Sequence, residues 1–343
     1  MTNILSVKNI CHNFDHKSLA QLIDISFDLK KAEVLSIIGP SGTGKTTLLN
    51  IIREVLNPDK GEVVFAGKSN EISYVPQISS LDESKTVIEN IMAGAKGILD
   101  DDVARDRARD MIEIFALEYK DAKLPSDLSA GQRQRVEFAK AMVRSPKLIL
   151  LDEPFSNLDE FLKDDVISEV FPIFKENGIA VIFVSHNIEE AFSVSDKTMV
   201  LAHGKVQQLD NPFNIYERPS NVFVARFTGK INLLASNVIE VSGDKVKLKN
   251  IFGEFHAATT LWLEGKKFVY LAIRPEEVAL SNDEHSIAGK IKRIEYRGST
   301  QLLYVQALDK NKFLITRPGR EKFQIDQRVR FVINSESSFL LPI

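Results

Sequence analysis

A glycine-rich loop followed by a lysine and two threonines carries the clearest chemical signal in the sequence. Residues 39–46 fit the pattern G-x-x-x-x-G-K-[ST] and lie between an apolar run, residues 34–38, and a helical stretch, residues 48–56. Backbone N–H groups in such a loop cradle phosphates, helped by the helix N-terminus. A tight turn into a helix is the alternative, but it would not require Lys45. We therefore predict nucleotide binding by Gly39, Ser41, Gly42, Gly44, Lys45, Thr46 and Thr47.

Two acids, Asp152 and Glu153, directly follow the apolar run of residues 148–151. In a parallel sheet such side chains face a nucleotide bound at the carboxyl edge. The Thr46 hydroxyl and Asp152 suit Mg²⁺, with the acid binding it directly or through water. Glu153 fits the general base that orients or deprotonates the attacking water. Without the loop before them, two solvent-exposed acids at a strand end would be the simpler interpretation.

The pentapeptide Leu128-Ser129-Ala130-Gly131-Gln132 precedes the two acids by about twenty residues. It resembles the signature motif, usually LSGGQ, of the ATP-binding cassette (ABC) ATPases, with Ala130 in place of the first glycine. In that family the signature closes over ATP held by a second subunit. The resemblance therefore implies that Ser129, Gly131 and Gln132 bind ATP across a dimer interface. From the residues alone, Ser129 caps a helix whose free N–H groups suit an anion, and a polar loop that merely begins a helix is the alternative.

The resemblance to the ABC ATPases extends to four further motifs. Gln77 matches the glutamine of the Q-loop, which implies contact with Mg²⁺ or the attacking water. Residues 156–159 match the D-loop, which implies that Asp159 lies at the nucleotide site. His186 matches the switch histidine that hydrogen-bonds the γ-phosphate, and Phe14 matches the aromatic residue that stacks on adenine. A structural histidine and a core aromatic residue are the respective alternatives.

The composition is that of an ordinary globular protein with room for two domains. The chain has 343 residues, a formal charge of −3 and no basic cluster, which argues against a nucleic-acid partner. Cys11 is the only cysteine, which excludes an internal disulfide and a cysteine metal cluster. Polar residues interrupt the N-terminus, which argues against a signal peptide, and no apolar run reaches the ~20 residues of a membrane helix. We therefore expect a reducing cytoplasm, with any membrane path supplied by other subunits.

The order of predicted elements indicates two architectures in succession. Strands and helices alternate through the first part, which predicts an α/β P-loop nucleotide-binding domain with a parallel sheet over residues 1–230. Helical periodicity over about 84–145 predicts a helical subdomain inserted in it. Beyond it, short alternating strands separated by turn signals predict a small all-β barrel, of TOBE or OB-like type, over residues 236–343.

The C-terminal part extends the resemblance to a particular group of ABC proteins. Residues 215–229 look like the segment that joins an import ATPase to its regulatory domain, and residues 272–277 resemble a motif of the TOBE domain. This implies the ATPase of a bacterial binding-protein-dependent importer, of the group that serves iron(III), polyamines, sulfate, molybdate or maltose-type sugars. Residues 78–87 lack the aromatic, proline-containing sequence of many members, and they leave the permease class open.

The resemblance also implies partners and a location. One set of motifs requires a second copy of the chain for two composite ATP sites, so we expect a homodimer or a pair with a related ATPase. Membrane permease subunits would bind directly, a substrate-binding protein would act indirectly, and the chain would lie peripherally on the cytoplasmic face of the plasma membrane. Two alternatives remain: a soluble ABC ATPase acting in translation or DNA repair, and an ATP-switched regulatory module with little turnover. The cargo is not encoded in this chain.

Overall fold

The computed structural model describes residues 3–13, 21–243, 245–258, 263, 266–281, 283, 286–307, 310–334 and 337–343. The polypeptide forms two compact units, Met1–Pro212 and Phe213–Ile343. The strands of the first unit are β1 (Asn3–Asn13), β2 (Gln21–Lys30), β3 (Val34–Ile38), β4 (Lys60–Phe65), β5 (Ile72–Val75), β6 (Leu148–Asp152), β7 (Ala180–Val184), β8 (Lys197–Ala202) and β9 (Lys205–Asp210). Its helices are α1 (Lys45–Ile52), α2 (Val87–Ala93), α3 (Asp101–Ile114), α4 (Ala130–Met142), α5 (Glu160–Glu176) and α6 (Ile188–Val194).

A six-stranded sheet in the order β5-β6-β7-β3-β8-β9 forms the centre of the first unit. Its strands are parallel except β9, which pairs antiparallel with β8. Every residue of β3, β6 and β7 is buried, as expected for parallel strands covered on both faces. Because parallel strands end at one edge, the loops after β3, β5, β6 and β7 meet there. This arrangement confirms the predicted α/β P-loop fold.

One face of the central sheet is covered by α1 and by a three-stranded antiparallel sheet in the order β2-β1-β4. Leu5 and Ile10 of β1, Leu48 of α1, and Ile37 and Leu150 of the central strands share one apolar core. Strands β1 and β2 pair antiparallel, and each carries the alternating burial of a sheet with one covered face. This core anchors the helix that begins at the phosphate-binding loop.

The opposite face of the sheet is covered by helices α2 to α5. Five phenylalanine rings pack there at centroid separations of 5.6 to 6.3 Å, and they are Phe138, Phe155, Phe171, Phe174 and Phe183. Tilted and edge-to-face pairs of this kind stabilise a core beyond their buried area. The predicted helical subdomain is therefore present, as α2, α3 and α4.

Helix α5 begins earlier than its sequence predicts. Apolar periodicity starts at Val166, whereas the helix starts at Glu160 with Asp159 as its N-cap. The Asp159 Oδ1 atom accepts a hydrogen bond from the backbone N–H of Leu162 at 3.0 Å, which satisfies a free donor of the first turn. That turn contains Phe161 and Leu162, but both side chains are exposed, so the buried apolar pattern begins only at Val166. Pro172 lies inside the helix, although proline usually breaks one.

The second unit is built mainly of antiparallel strands. Helices α7 (Pro212–Glu217) and α8 (Val222–Thr228) precede strands β10 (Asn232–Ser242), β11 (Lys245–Asn250), β12 (Gly253–Ala258), β13 (Phe268–Ile273), β14 (Val278–Leu280), β15 (Ile287–Tyr296), β16 (Thr300–Ala307), β17 (Lys312–Pro318), β18 (Arg328–Ile333) and β19 (Phe339–Pro342). Within the described residues they form two sheets, β12-β11-β10-β13-β19 and β14-β18-β15-β16-β17. Both sheets contribute to one apolar core, which confirms the predicted all-β domain.

A buried arginine holds residues 213–230 on the second unit. Arg274 is only 1% exposed, and its guanidinium donates to the carbonyl oxygens of Tyr216 at 2.7 Å, Ala225 at 2.9 Å and Lys230 at 3.2 Å. The guanidinium also lies 3.9 Å from the centroid of the Tyr216 ring. We call these four residues the Arg274 cage. The packing units thus divide at residue 212, while the domain limits 1–230 and 236–343 stay a prediction.

Candidate active site

The loop between β3 and α1 has a backbone shape that only glycine adopts easily. Gly42 and Gly44 have φ values of 76° and 96°, in the left-handed region. A Cβ atom at Gly39 would lie 2.0 Å from the carbonyl oxygen of Leu201, so the approach of β8 requires glycine there. Gly44 is the N-cap of α1 and has no side chain to cap it, so the free N–H groups of the first turn remain available to an anion.

Lys45, the first residue of α1, is buried beneath this loop. Its Nζ atom donates to the carbonyl oxygens of Gly39 and Pro40, both at 2.9 Å. Burial lowers the pKa of Lys45, whereas the nearby Glu153 and Asp152 carboxylates act in the opposite direction. The lysine therefore lies beside both acids that the sequence singles out, with its charge held by the loop's own carbonyl groups.

Asp152, the last residue of β6, is also buried. Burial raises the pKa of Asp152, and hydrogen bonds from Thr46 and Tyr74 oppose this rise. The Tyr74 hydroxyl donates to Asp152 Oδ2 at 3.2 Å, and burial together with the Asp152 charge raises the pKa of Tyr74 to about 12. A carboxylate beside a threonine hydroxyl is the sparse oxygen donor set that Mg²⁺ uses together with phosphates. The residues present therefore fit this metal.

Glu153 contacts side chains that follow two neighbouring strands of the sheet. Its Oε2 atom accepts a hydrogen bond from Gln77 Nε2 at 3.0 Å and lies 3.2 Å from His186 Nδ1. Gln77 follows β5, Glu153 follows β6, and His186 follows β7. Glu153 has a φ of 47°, a conformation that costs a residue with a side chain about 1–3 kcal/mol and that clusters at active sites. The backbone thus aims this carboxylate at a glutamine and a histidine.

The loop that carries His186 is fastened to α5 by a nearly buried ion pair. Lys163 Nζ lies 2.6 Å from Glu190 Oε1, with side-chain exposures of 12% and 8%. Ser185, next to His186, donates its hydroxyl to Glu190 Oε2 at 2.7 Å. Sequence analysis missed Lys163 and Glu190 because each resembles an ordinary charged helix residue. A signal was present in Asn187, whose side chain caps α6 and places Glu190 in its first turn.

The signature residues lie at the N-terminus of α4. Ser129 Oγ accepts from the backbone N–H of Gln132 at 3.3 Å, and Gln132 Oε1 accepts from the backbone N–H of Ser129 at 3.2 Å. This reciprocal pair is a capping box. A Cβ atom at Gly131 would lie 3.7 Å from Val166 Cγ2, an ordinary contact, so packing in this chain does not demand glycine there. Ala130 is exposed in the first helical turn, a conformation that suits alanine.

The structure describes most, but not all, of the remaining residues that the sequence predicts to bind nucleotide. Ser41 and Thr46 are exposed and Thr47 is half-buried, all around the phosphate-binding loop. Asp159 caps α5, so one of its oxygens already has a partner. Phe14 lies outside the described residues. Nucleotide contacts by these residues, and by Ser129, Gly131 and Gln132, stay predictions.

The fold and this edge of the sheet define a P-loop ATPase. The ABC transporter family model matches residues 22–156, and the TOBE domain model matches residues 271–341. Spermidine/putrescine import ATP-binding protein PotA of Marinobacter nauticus is 34% identical over 310 residues, which cover 87% of this chain and 83% of the relative. PotA of Mesoplasma florum is 30% identical over 98% of this chain and 97% of the relative.

A solved structure of cbiO1 from Clostridium perfringens, described as part of the ABC transporter complex cbiONQ, has a TM-score of 0.58 and 27% identity. It covers 63% of this chain and 91% of that one. The chain belongs to the ATP-binding subunits of ABC transporters, in the importer group that carries a C-terminal TOBE domain, and it is an ATPase.

Proposed function

We propose that two copies of this chain close head-to-tail on two ATP molecules and drive the permease subunits of a binding-protein-dependent importer. The observation that carries this proposal is that the signature residues make no hydrogen bond to the cluster of Glu153, Gln77 and His186 in the described chain. Gln77 and His186 converge on Glu153, whereas the hydrogen bonds of Ser129 and Gln132 in the described chain are made within their own helix turn. The signature is therefore free to serve the ATP of a second copy.

In this mechanism each residue around the loop has a defined task. The backbone N–H groups of residues 39–46 and the Lys45 ammonium bind the phosphates. Thr46, Asp152 and Gln77 would hold Mg²⁺, which would supply positive charge to neutralise the phosphates when bound. Glu153 accepts the proton of the attacking water, and His186 donates to the γ-phosphate. The 3.2 Å contact between His186 Nδ1 and Glu153 Oε2 keeps the imidazole and the carboxylate next to each other.

The relatives support a cargo class and a location. Because two of them are named as spermidine/putrescine import proteins, we extend the proposal to polyamine cargo, selected by the permease and binding protein. Among the described residues no helix is long and apolar enough to span a membrane. The chain would work peripherally at the cytoplasmic face of the membrane. The import names of these relatives favour transport over a role in translation or DNA repair.

The experiment that tests the composite site uses Glu153→Gln. With ATP and Mg²⁺, this variant should bind ATP, form a dimer and release phosphate about 10²–10⁴-fold more slowly than wild type, because it lacks the general base. Adding Ser129→Arg should abolish the dimer but keep ATP binding to each chain. Analytical ultracentrifugation and phosphate release provide the measurements. Glu160→Gln, which removes an exposed acid at the start of α5, is the matched control.

Two outcomes would contradict the proposal. A near-normal rate in Glu153→Gln would remove Glu153 from the role of base. An ATP-loaded variant that stays monomeric at all concentrations would remove the head-to-tail dimer. Polyamine cargo is tested separately, by uptake of labelled spermidine in cells that lack the chain, and undiminished uptake would contradict it.

A further inference from the structure

Helix α4 carries a buried carboxylate for which the ATPase mechanism has no use. Glu137 is 4% exposed and lies eight residues after the signature serine, about 12 Å along the helix axis at 1.5 Å per residue. Its Oε1 atom accepts from the Ser79 hydroxyl at 2.8 Å and from the backbone N–H of Ser80. Its Oε2 atom accepts from the Ser80 hydroxyl at 2.8 Å. The buried charge is thus satisfied by two consecutive residues of one loop.

Lys140, one turn further along α4 than Glu137, also hydrogen-bonds Ser80. Its Nζ atom donates to the Ser80 carbonyl oxygen at 2.7 Å and to the Ser80 hydroxyl at 3.1 Å. The N–H, carbonyl and hydroxyl groups of Ser80 are therefore all hydrogen-bonded to α4. We call Glu137, Lys140, Ser79 and Ser80 the clasp.

The loop held by the clasp begins at the catalytic edge of the sheet. Ser80 lies three residues after Gln77, whose side chain donates to Glu153. Further along, the exposed Glu83 pairs with Arg133 of α4, and Asn90 of α2 hydrogen-bonds Asp82 in both directions. Residues 79–85 are thus tied along their length to the helical subdomain, and the buried Glu137 is the member of the clasp that receives most of these hydrogen bonds.

We propose that Glu137 is a positioning residue that makes residues 77–85 and helix α4 move together as one rigid unit. The proposal rests on the proposed roles of Gln77 and Ser129. A change at the Glu153 end of the loop then moves the whole of α4, with the signature at its N-terminus. Truncating Glu137 would remove the acceptor of three hydrogen bonds from Ser79 and Ser80 and would release the loop, because water would then pair with these exposed donors and α4 would hold Ser80 through Lys140 alone.

The test compares Glu137→Ala with the double substitution Ser79→Ala/Ser80→Ala. The double substitution removes the two hydroxyl donors of the clasp and changes no residue of α4. Both should speed amide hydrogen exchange over residues 78–85 by about 10-fold or more, since exchange reports local opening. Both should lower kcat by about 10- to 100-fold, the scale on which small misplacements act, while KM for ATP stays unchanged because the phosphate loop is untouched. Glu137→Gln, which keeps one acceptor oxygen, should restore part of both effects.

Glu83→Gln is the matched control, because it breaks an exposed ion pair between the same loop and the same helix. It should change neither exchange nor kcat, since exposed pairs contribute little. Faster exchange without a fall in kcat, or a fall in kcat without faster exchange, would overturn the proposal. Turnover of the wild-type protein, assayed with its permeases, and its loss in Glu153→Gln separately test the proposed function, so failure of the clasp leaves that result standing.

Discussion

At the scale of single residues, Ala130 shows how a departure from the usual signature is accommodated. It occupies the first turn of α4, where alanine is a better helix former than glycine. Ala130→Gly should therefore lower the free energy of unfolding by up to about 1 kcal/mol and leave turnover close to that of wild type. Urea unfolding and phosphate release measure the two effects. A large gain in turnover would show that the methyl group obstructs the signature.

Tyr74 gives a pH dependence whose sign follows from its environment. Its pKa is raised from the usual 10 to about 12, so the folded protein holds the phenolic proton more tightly than the unfolded chain does. Its contribution to stability is fully present below pH 10 and is lost as the pH rises towards 12. Tyr74→Phe should therefore flatten the decline in stability between these values, as measured by urea unfolding. An identical decline in both proteins would contradict the assignment.

The residues of the candidate site could be predicted from the sequence, but their contacts could not. Lys45 and Asp152 were predicted from the loop motif and the apolar run of residues 148–151, whereas Gln77 and His186 were predicted from the resemblance to the ABC ATPases. The meeting of Gln77 and His186 on one oxygen of Glu153 joins segments 76 and 33 residues apart. No local pattern records such a contact. The left-handed backbone of Glu153 was equally hidden, because its residue type does not demand that conformation.

At the scale of secondary-structure elements, the cap of α4 lets structural and catalytic roles be separated. Ser129→Ala should destabilise the protein by about 0.5–2 kcal/mol, the usual cost of losing an N-cap side chain. Thr86→Ala is the matched control, since Thr86 and Glu89 form the same capping box on α2. Both variants should lose similar stability in urea unfolding, but only Ser129→Ala should also lose turnover. Equal losses of turnover would make Ser129 a structural cap alone.

Buried strands made largely of apolar residues are visible in the sequence, whereas exposed or very short strands are not. Strands β3, β6 and β7 are buried and consist almost wholly of apolar residues, and all three lie within apolar runs of the sequence. Strand β12 cannot be recognised from its sequence because only Ala257 of its six residues is buried, so it shows no alternation. The short β14 and β19 cannot be recognised either, because three or four residues are too few to display a period.

At the scale of the whole molecule, the two units should respond separately to perturbation. ATP binds the native first unit and should raise its melting temperature through linkage. Arg274→Ala should instead destabilise the second unit by about 1–3 kcal/mol, because it removes the donor to the carbonyl oxygens of the buried Ala225 and the half-buried Tyr216. Differential scanning calorimetry with and without ATP distinguishes the two transitions. Arg293→Ala, which removes an exposed arginine from the same unit, is the control and should have little effect.

The Arg274 cage also determines where this polypeptide can be divided. A recombinant fragment that starts at residue 231 or 236 would lack all three carbonyl oxygens that Arg274 uses, and its buried guanidinium would lose those acceptors. A fragment that starts at residue 213 keeps Tyr216, Ala225 and Lys230 together with their arginine. The longer fragment should be soluble and melt cooperatively, and the shorter ones should melt lower or aggregate. A division at the predicted domain limit, residue 230, would cut this unit in two, whereas a division before residue 213 leaves it whole.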